Sequence, residues 1–278
     1  PTGTSVHPDE MRRIHNIVSA RGGITLVDEI YLGLSYDDTY GQSALALDDQ
    51  IISINSFSKY FNMTGWRLGW LVVPDALVPV VERLAQNLFI CPSTLAQHAA
   101  LACFEAESIA EYERRRAEFR ARRDWFIPQL QALDLPVPVM PDGAFYAWAD
   151  CSRWCEALGL AGSWELAFDL MKRAGIAITP GRDFGTAETS RYIRFSTASS
   201  MASLQEAVRR LAQAQATAAI LGDELYKRFP WAHYDCGGAA TFALPTTTDP
   251  LQALLNRTWV PTLSVTGAEG FPSLKDAG

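Results

Sequence analysis

The chain is short of positive charge. Its 24 lysines and arginines are outnumbered by 31 acids, giving a net charge of −7 and a pI near 5.2. Such a surface repels nucleic acid and anionic lipid, so neither is expected as a partner, and any phosphate must meet a local cationic cluster. Long apolar runs are missing too: none approaches the roughly 20 residues that span a bilayer, and no signal peptide is read at the start. Histidines are few, and His7, His15, His98 and His233 follow no metal-binding spacing, so no metal site is expected. The five cysteines are an odd number with no regular spacing beyond Cys151 and Cys155. That argues against a disulfide scaffold and suits idle or buried thiols in a reducing compartment, the cytoplasm. There is no internal repeat. The first residue is Pro1, and an upstream portion is expected.

What is present is a chain of 278 residues, 48% apolar, enough to build one or two cored domains. Pro8, with His7 before it and Asp9 and Glu10 after it, reads as a helix start. Met11, Ile14 and Val18 share a face, and Gly22–Gly23 ends the helix. "GITLVDEIYLGL" and "QIISINSFSK" read as two buried strands joined by a polar loop, which predicts a parallel α/β sheet. Helices are predicted from Asp75 to Phe89 and from Ser93 to Glu107. The arginine-rich stretch that follows alternates bases with acids and keeps Tyr112, Phe119 and Phe126 in a helical stripe, so it reads as a solvated helix face. A strand in "VPVMPDGAFYAWAD", a helix over 164–174, strands in "IAITPG" and "RYIRFSTA", and a helix over 201–214 predict a smaller α+β domain. Cys91 and Cys103 are expected in the core and His98 as a packed histidine. Tyr36 and Tyr40 either line a site or shield a loop.

The ends of the first two strands carry the chemistry. Asp28 and Tyr31 close the first, and Ser56, Ser58 and Lys59 close the second. Arg67 follows a Thr64–Gly65 turn. Ligands of open α/β sheets sit at the carboxyl ends of strands, so these groups converge on one crevice. An acid, a phenol, a lysine, hydroxyls and a guanidinium suit pyridoxal 5′-phosphate (PLP). The lysine amine meets the aldehyde, the carboxylate keeps the pyridine nitrogen protonated, and serine with arginine holds the phosphate.

"DEIY" followed by "SFSKYFNMTGWRLGW" closely resembles the fold-type I, class I/II aminotransferases. "PTG" at 1–3, "PDGAFY" at 141–146, "GRDFG" at 181–185 and "YIRFSTA" at 192–198 extend the resemblance over about residues 1–213. It implies that Lys59 forms the Schiff base with the cofactor and acts as general base. It implies that Asp28 pairs with the pyridine nitrogen and Tyr31 with the ring oxygen, and that Ser56, Ser58 and Arg67 bind phosphate. Arg194 then grips the substrate α-carboxylate. The implied activity moves an amino group between an α-amino acid and a 2-oxo acid in a homodimer. A neutral amino acid is favoured, because no second arginine near "NLFICPSTLAQ" is placed for a distal carboxylate.

The same resemblance implies a large PLP-binding domain over 1–122 whose first part lies elsewhere, and a small domain over 123–213. An incomplete sheet with an exposed edge and apolar surface is expected. From about Ala216 the composition turns to Gly, Pro and Thr. "DELYKRFPW" and "LNRTWVPTLSVTGAEGFP" resemble part of the lid domain of zinc-dependent dipeptidases of the carnosinase and aminoacylase type, which suggests an extra α+β tail over 218–278. The alternatives to a transaminating enzyme are a PLP-binding regulator without catalysis, an inactive fusion remnant, or a related lyase or decarboxylase.

Overall fold

A computed structural model describes residues 1–222, with side chains up to residue 216. The first helix, α1 (Pro8–Ser19), is capped as expected, with His7 Nδ1 accepting from the Asp9 amide at 3.2 Å. Its buried side chain is His15, whereas Ile14 is 45% exposed, against the expected apolar stripe. A buried imidazole needs partners for its nitrogens. His15 finds them in Thr25 Oγ1 at 2.9 Å and Asp48 at 3.2 Å.

Three strands form the first sheet: β1 (Leu26–Asp28), β2 (Ile52–Ser56) and β3 (Gly69–Val72). β1 and β2 are parallel, with Asp28 opposite Ile54, as the apolar runs predict. β3 was not anticipated, and it runs antiparallel to β2 with Gly69 opposite Ser56. The expected parallel sheet therefore holds for one pairing and not the other. Only four residues long, β3 is hidden by its flanking glycine and proline. Two helices follow, α2 (Val78–Leu88) and α3 (Thr94–Leu101).

The core of this part is small: Phe57, Met63, Leu68, Ala96, Ala100 and Cys103. Cys103 is buried as expected, but Cys91 and His98 are exposed, contrary to expectation. α3 buries only Ala96 and Ala100, one turn apart, so the rest of its circumference faces outward. The expected apolar surface is present. Leu71 on β3, Leu88 at the end of α2 and Ile90 beyond it are 50%, 77% and 79% exposed. Neither β1 nor β3 has a second strand neighbour among the described residues.

The remaining elements build the larger core. They are α4 (Ala106–Ala132), β4 (Tyr146–Asp150), α5 (Ser152–Leu158), α6 (Ser163–Ala174), β5 (Thr179–Pro180), β6 (Tyr192–Ser196) and α7 (Met201–Gly222). The sheet order is β4-β6-β5, antiparallel throughout. Strand alternation sorts the side chains. Ala147, Ala149, Ile193 and Phe195 turn inward onto Phe126, Leu130 and Leu166. Tyr146, Trp148, Tyr192 and Arg194 fall on the opposite, partly open face.

α4 joins the two cores. Tyr112 packs on the smaller one, and Phe126, Ile127 and Leu130 belong to the larger. Its arginine run is partly the solvated face expected, with Arg114 and Arg115 paired to Glu111. Other α4 side chains reach across to loops. Glu113 accepts from Tyr60 at 2.6 Å, and Arg116, Arg122 and Arg123 donate to the carbonyls of Ser35, Ala198 and Pro141.

Among the described residues no helix is long and apolar enough to cross a membrane. Apart from the end of α7, the tail at 218–278 with its dipeptidase-lid resemblance lies outside the described residues.

Candidate active site

The parallel pairing of β1 and β2 brings Asp28 and the turn after Ser56 to the same edge of the sheet. Asp28 is exposed, and its Oδ1 accepts from the Ile30 amide at 3.1 Å, turning the chain toward Tyr31. Lys59 is half-buried. Its Nζ lies 5.6 Å from the centre of the Tyr31 ring and 5.9 Å from that of Phe145. No carboxylate pairs with Lys59 among the described residues, although acids outnumber bases in the chain. An amine left without a countercharge beside two rings is available for chemistry rather than for a surface ion pair.

Tyr31 reaches across to the second sheet. Its hydroxyl is 3.0 Å from that of Tyr146 on β4. The Tyr31 phenol is pushed above its ordinary range, by burial first and then by the bond to Tyr146. Arg194 on β6 lies over the Tyr146 ring at 4.2 Å and against Phe184 at 4.5 Å, with no carboxylate partner among the described residues. The charges of both Asp28 and Arg194 are felt at Tyr31, which places all three in one electrostatic neighbourhood.

The turn after β2 is built on hydroxyls. Ser56 Oγ accepts from the Ser58 amide at 3.0 Å and donates to the Leu68 carbonyl at 3.3 Å. Thr64 Oγ1 closes the turn on the Ser58 carbonyl at 2.6 Å. Ser58 is itself buried. Arg67 is exposed in a left-handed conformation (φ 53°), and its guanidinium donates to the Thr64 carbonyl at 3.0 Å. Such a conformation is uncommon for a residue with a side chain and tends to collect at functional sites.

"PDGAFY" ties the loop after β1 to the start of β4. Gly143 forms a bridge with Ser35, and a side chain there would stand 3.0 Å from the Leu34 carbonyl. Tyr36 donates its hydroxyl to the Ala144 carbonyl, so it secures this turn. Gly3, at φ +71°, presses on the same turn, and a Cβ there would meet Pro141 at 2.9 Å and the Tyr146 carbonyl at 3.0 Å.

Residues 1–211 match the family model described as aminotransferase class I and II. The chain belongs to this aminotransferase family. Valine–pyruvate aminotransferase of Mycobacterium tuberculosis is 37% identical over 214 residues, which are 76% of this chain and 53% of that protein. Among solved structures, an aminotransferase from Mycobacterium tuberculosis superposes with a TM-score of 0.73 at 35% identity, over 78% of this chain and 55% of that one. The aromatic aminotransferase from Pyrococcus horikoshii OT3 gives 0.70 at 31% identity, over 78% and 57%. The chain thus spans about half the length of the relatives it matches. Members of this family use PLP. The donor set fits that group: among the described residues, an amine without a countercharge, a strand-end carboxylate with no bond on its second oxygen, a half-buried phenol, and an arginine following the serine-bearing turn.

Two residues escaped the sequence reading. Glu29, next to Asp28, is buried and accepts from Ser43, the Ala44 amide, Ser53 and Asn55 at 2.6 to 3.4 Å. In "DEIY" it looked like another strand-end acid. Tyr146 was quoted within "PDGAFY" without a role. Its partner Tyr31 is 115 positions away, beyond any local pattern.

Proposed function

We propose that this chain carries the lysine-bearing part of a PLP-dependent enzyme that moves an amino group between an α-amino acid and a 2-oxo acid. One observation carries the reading: the unpaired Lys59 amine packs on Tyr31, whose hydroxyl meets Tyr146, on whose ring Arg194 lies. A nucleophilic amine, a tuning phenol and a carboxylate fork are therefore contiguous. Bound there, PLP supplies an aldehyde for the lysine and a ring that draws electron density from the substrate Cα.

The roles of the chain's own residues are those that the family resemblance implies. Lys59 would hold the cofactor and then carry a proton at Nζ to and from the substrate carbon. The Asp28 carboxylate would hold a proton on the pyridine nitrogen through charge. Tyr31 would donate to the ring oxygen. Ser56, Ser58 and Arg67 would bind the phosphate, where the charge-assisted bonds are strongest. Arg194 would bind the α-carboxylate by a two-pronged fork and so orient the Cα–H bond. Aromatic rings of Tyr146 and Phe184 border Arg194, which supports a neutral donor. The division at residues 1–122 and 123–213, a homodimer, and residence in the cytoplasm belong to the same proposal.

The test is spectral. Adding PLP should give a visible band that borohydride bleaches and Lys59→Ala abolishes; a band that survives Lys59→Ala sinks the assignment. A second reading has its own support in the unpaired edges of β1 and β3 and the apolar side chains around them. In it, the chain holds the site residues yet turns nothing over by itself. A band without transamination by the isolated chain, restored by a full-length relative's missing segment, would favour that reading.

A further inference from the structure

We infer that Tyr146 is a positioning residue that couples the cofactor end of the site to the carboxylate end, its hydroxyl serving Tyr31 and its ring serving Arg194. The inference rests on the proposed PLP chemistry and assigns a side chain that the proposal leaves without a task. The geometry is two-sided. The Tyr146 oxygen is 3.0 Å from the Tyr31 oxygen, with the two rings edge to face at 5.8 Å. The opposite partner is the Arg194 guanidinium, 4.2 Å from the Tyr146 ring centre.

Either phenol can donate in this pair, and the proposed cofactor contact decides which one does. A cation over an aromatic face withdraws electron density from the ring, so its hydroxyl becomes the better donor. Arg194 lies over Tyr146, and its charge is felt at Tyr31 too, where it opposes that of Asp28. A phenol carries one hydrogen, so when Tyr31 gives its own to the cofactor's ring oxygen, Tyr146 is the one that donates to Tyr31. Chained hydrogen bonds polarise one another, so the first strengthens the second. The guanidinium in turn gains a flat platform, with the Phe184 ring also beside it at 4.5 Å. That platform holds the fork in place without neutralising it, as a carboxylate partner would.

The placement is built into the backbone. Tyr146 opens β4 opposite Ser196, and Arg194 lies opposite Trp148 on the same face two residues along β6. The Tyr146 carbonyl backs onto Gly3, where any side chain would collide. Phe145, which flanks Lys59, lies 4.6 Å from Tyr146 ring to ring.

The two functions separate by substitution. Tyr146→Phe keeps the platform and removes the hydrogen bond. Without that bond Tyr31 donates less strongly, the ring oxygen stays more basic, and the visible chromophore titrates at higher pH. The expected rise in its pH midpoint is roughly half a unit or more, with KM for the amino donor little changed. Tyr146→Leu removes both features, so the same midpoint rise should come with a KM about tenfold higher. A purely structural role would move melting temperature in both variants without splitting midpoint from KM. If the wild-type band is present, bleached by borohydride and lost in Lys59→Ala, but the midpoint is unmoved in Tyr146→Phe and KM unmoved in Tyr146→Leu, the coupling role is overturned while the PLP reading stands. Absence of any band in wild type would instead overturn that reading, and the coupling role with it.

Discussion

Two neighbouring acids at the end of β1 show how differently one residue type can be used. Asp28 is exposed and, among the described residues, keeps an oxygen free, whereas Glu29 is buried with each oxygen bonded. Glu29→Ala would leave the hydroxyls of Ser43 and Ser53 and the Ala44 amide without their acceptor, at about 1–3 kcal/mol for each buried group left unpaired. We expect urea unfolding to report a loss of about 3 kcal/mol or more, with Glu29→Gln losing less because it retains one acceptor oxygen. Arg194→Lys keeps the charge and discards the fork. KM for the amino donor should rise about 10- to 100-fold, the equivalent of about 1.5–3 kcal/mol for bonds to a charged group. Steady-state kinetics on the cofactor-loaded protein would check it, and an unchanged KM would remove Arg194 from the carboxylate role. The placing of Asp28, Lys59 and Arg67 by the ends of β1 and β2 and the turn that follows was legible because their spacing is local. Glu29 and Tyr146 could not, because their tasks depend on loops and strands brought from far along the chain.

At the scale of elements, the regular helices were largely legible and the short strands were not. α1 announces itself by its cap, α6 by an apolar face and α4 by its length, while β3 has four residues and no alternation to display. His15 turned inward in place of Ile14 because two loops supply polar partners that periodicity cannot register. The helices also carry a pH signature. Glu111 on α4 is held at about 2 by its bonds to Arg114 and Arg115, and Glu206 on α7 at about 2 by Arg209 and Arg210. Because these carboxyls lie below their ordinary value of 4.5, their contribution is present above that pH and fades as pH falls toward 2. Melting temperature should therefore decline across that window. Glu111→Gln should flatten part of the decline, by a small amount because the pair is solvent-screened.

For the whole molecule, the imbalance is between two cores. The β4-β6-β5 side buries a broad apolar cluster, whereas the sheet that bears Lys59 has a small one and exposes Leu71, Leu88 and Ile90. Open strand edges with apolar flanks invite pairing between chains. The isolated chain should scatter light increasingly with concentration, and Leu71→Lys on β3 should reduce that scattering; equal scattering in both would show that the β3 edge plays no part. The resemblance to part of a larger enzyme foretold this surface, but not its distribution over α2 and the turn beyond. One last consequence lies in α4, whose 27 residues extend about 40 Å. It is fastened to Tyr60 beside Lys59, to the loop after Tyr31, to the turn before Tyr146 and to the segment after Arg194. A single beam thus references both jaws of the site, and the gap between them is metered like a gauge block rather than adjusted by either sheet. A substrate whose carboxylate is one carbon too far from its amine should be refused on length alone, visible as a higher kcat/KM for α- than for β-amino acids.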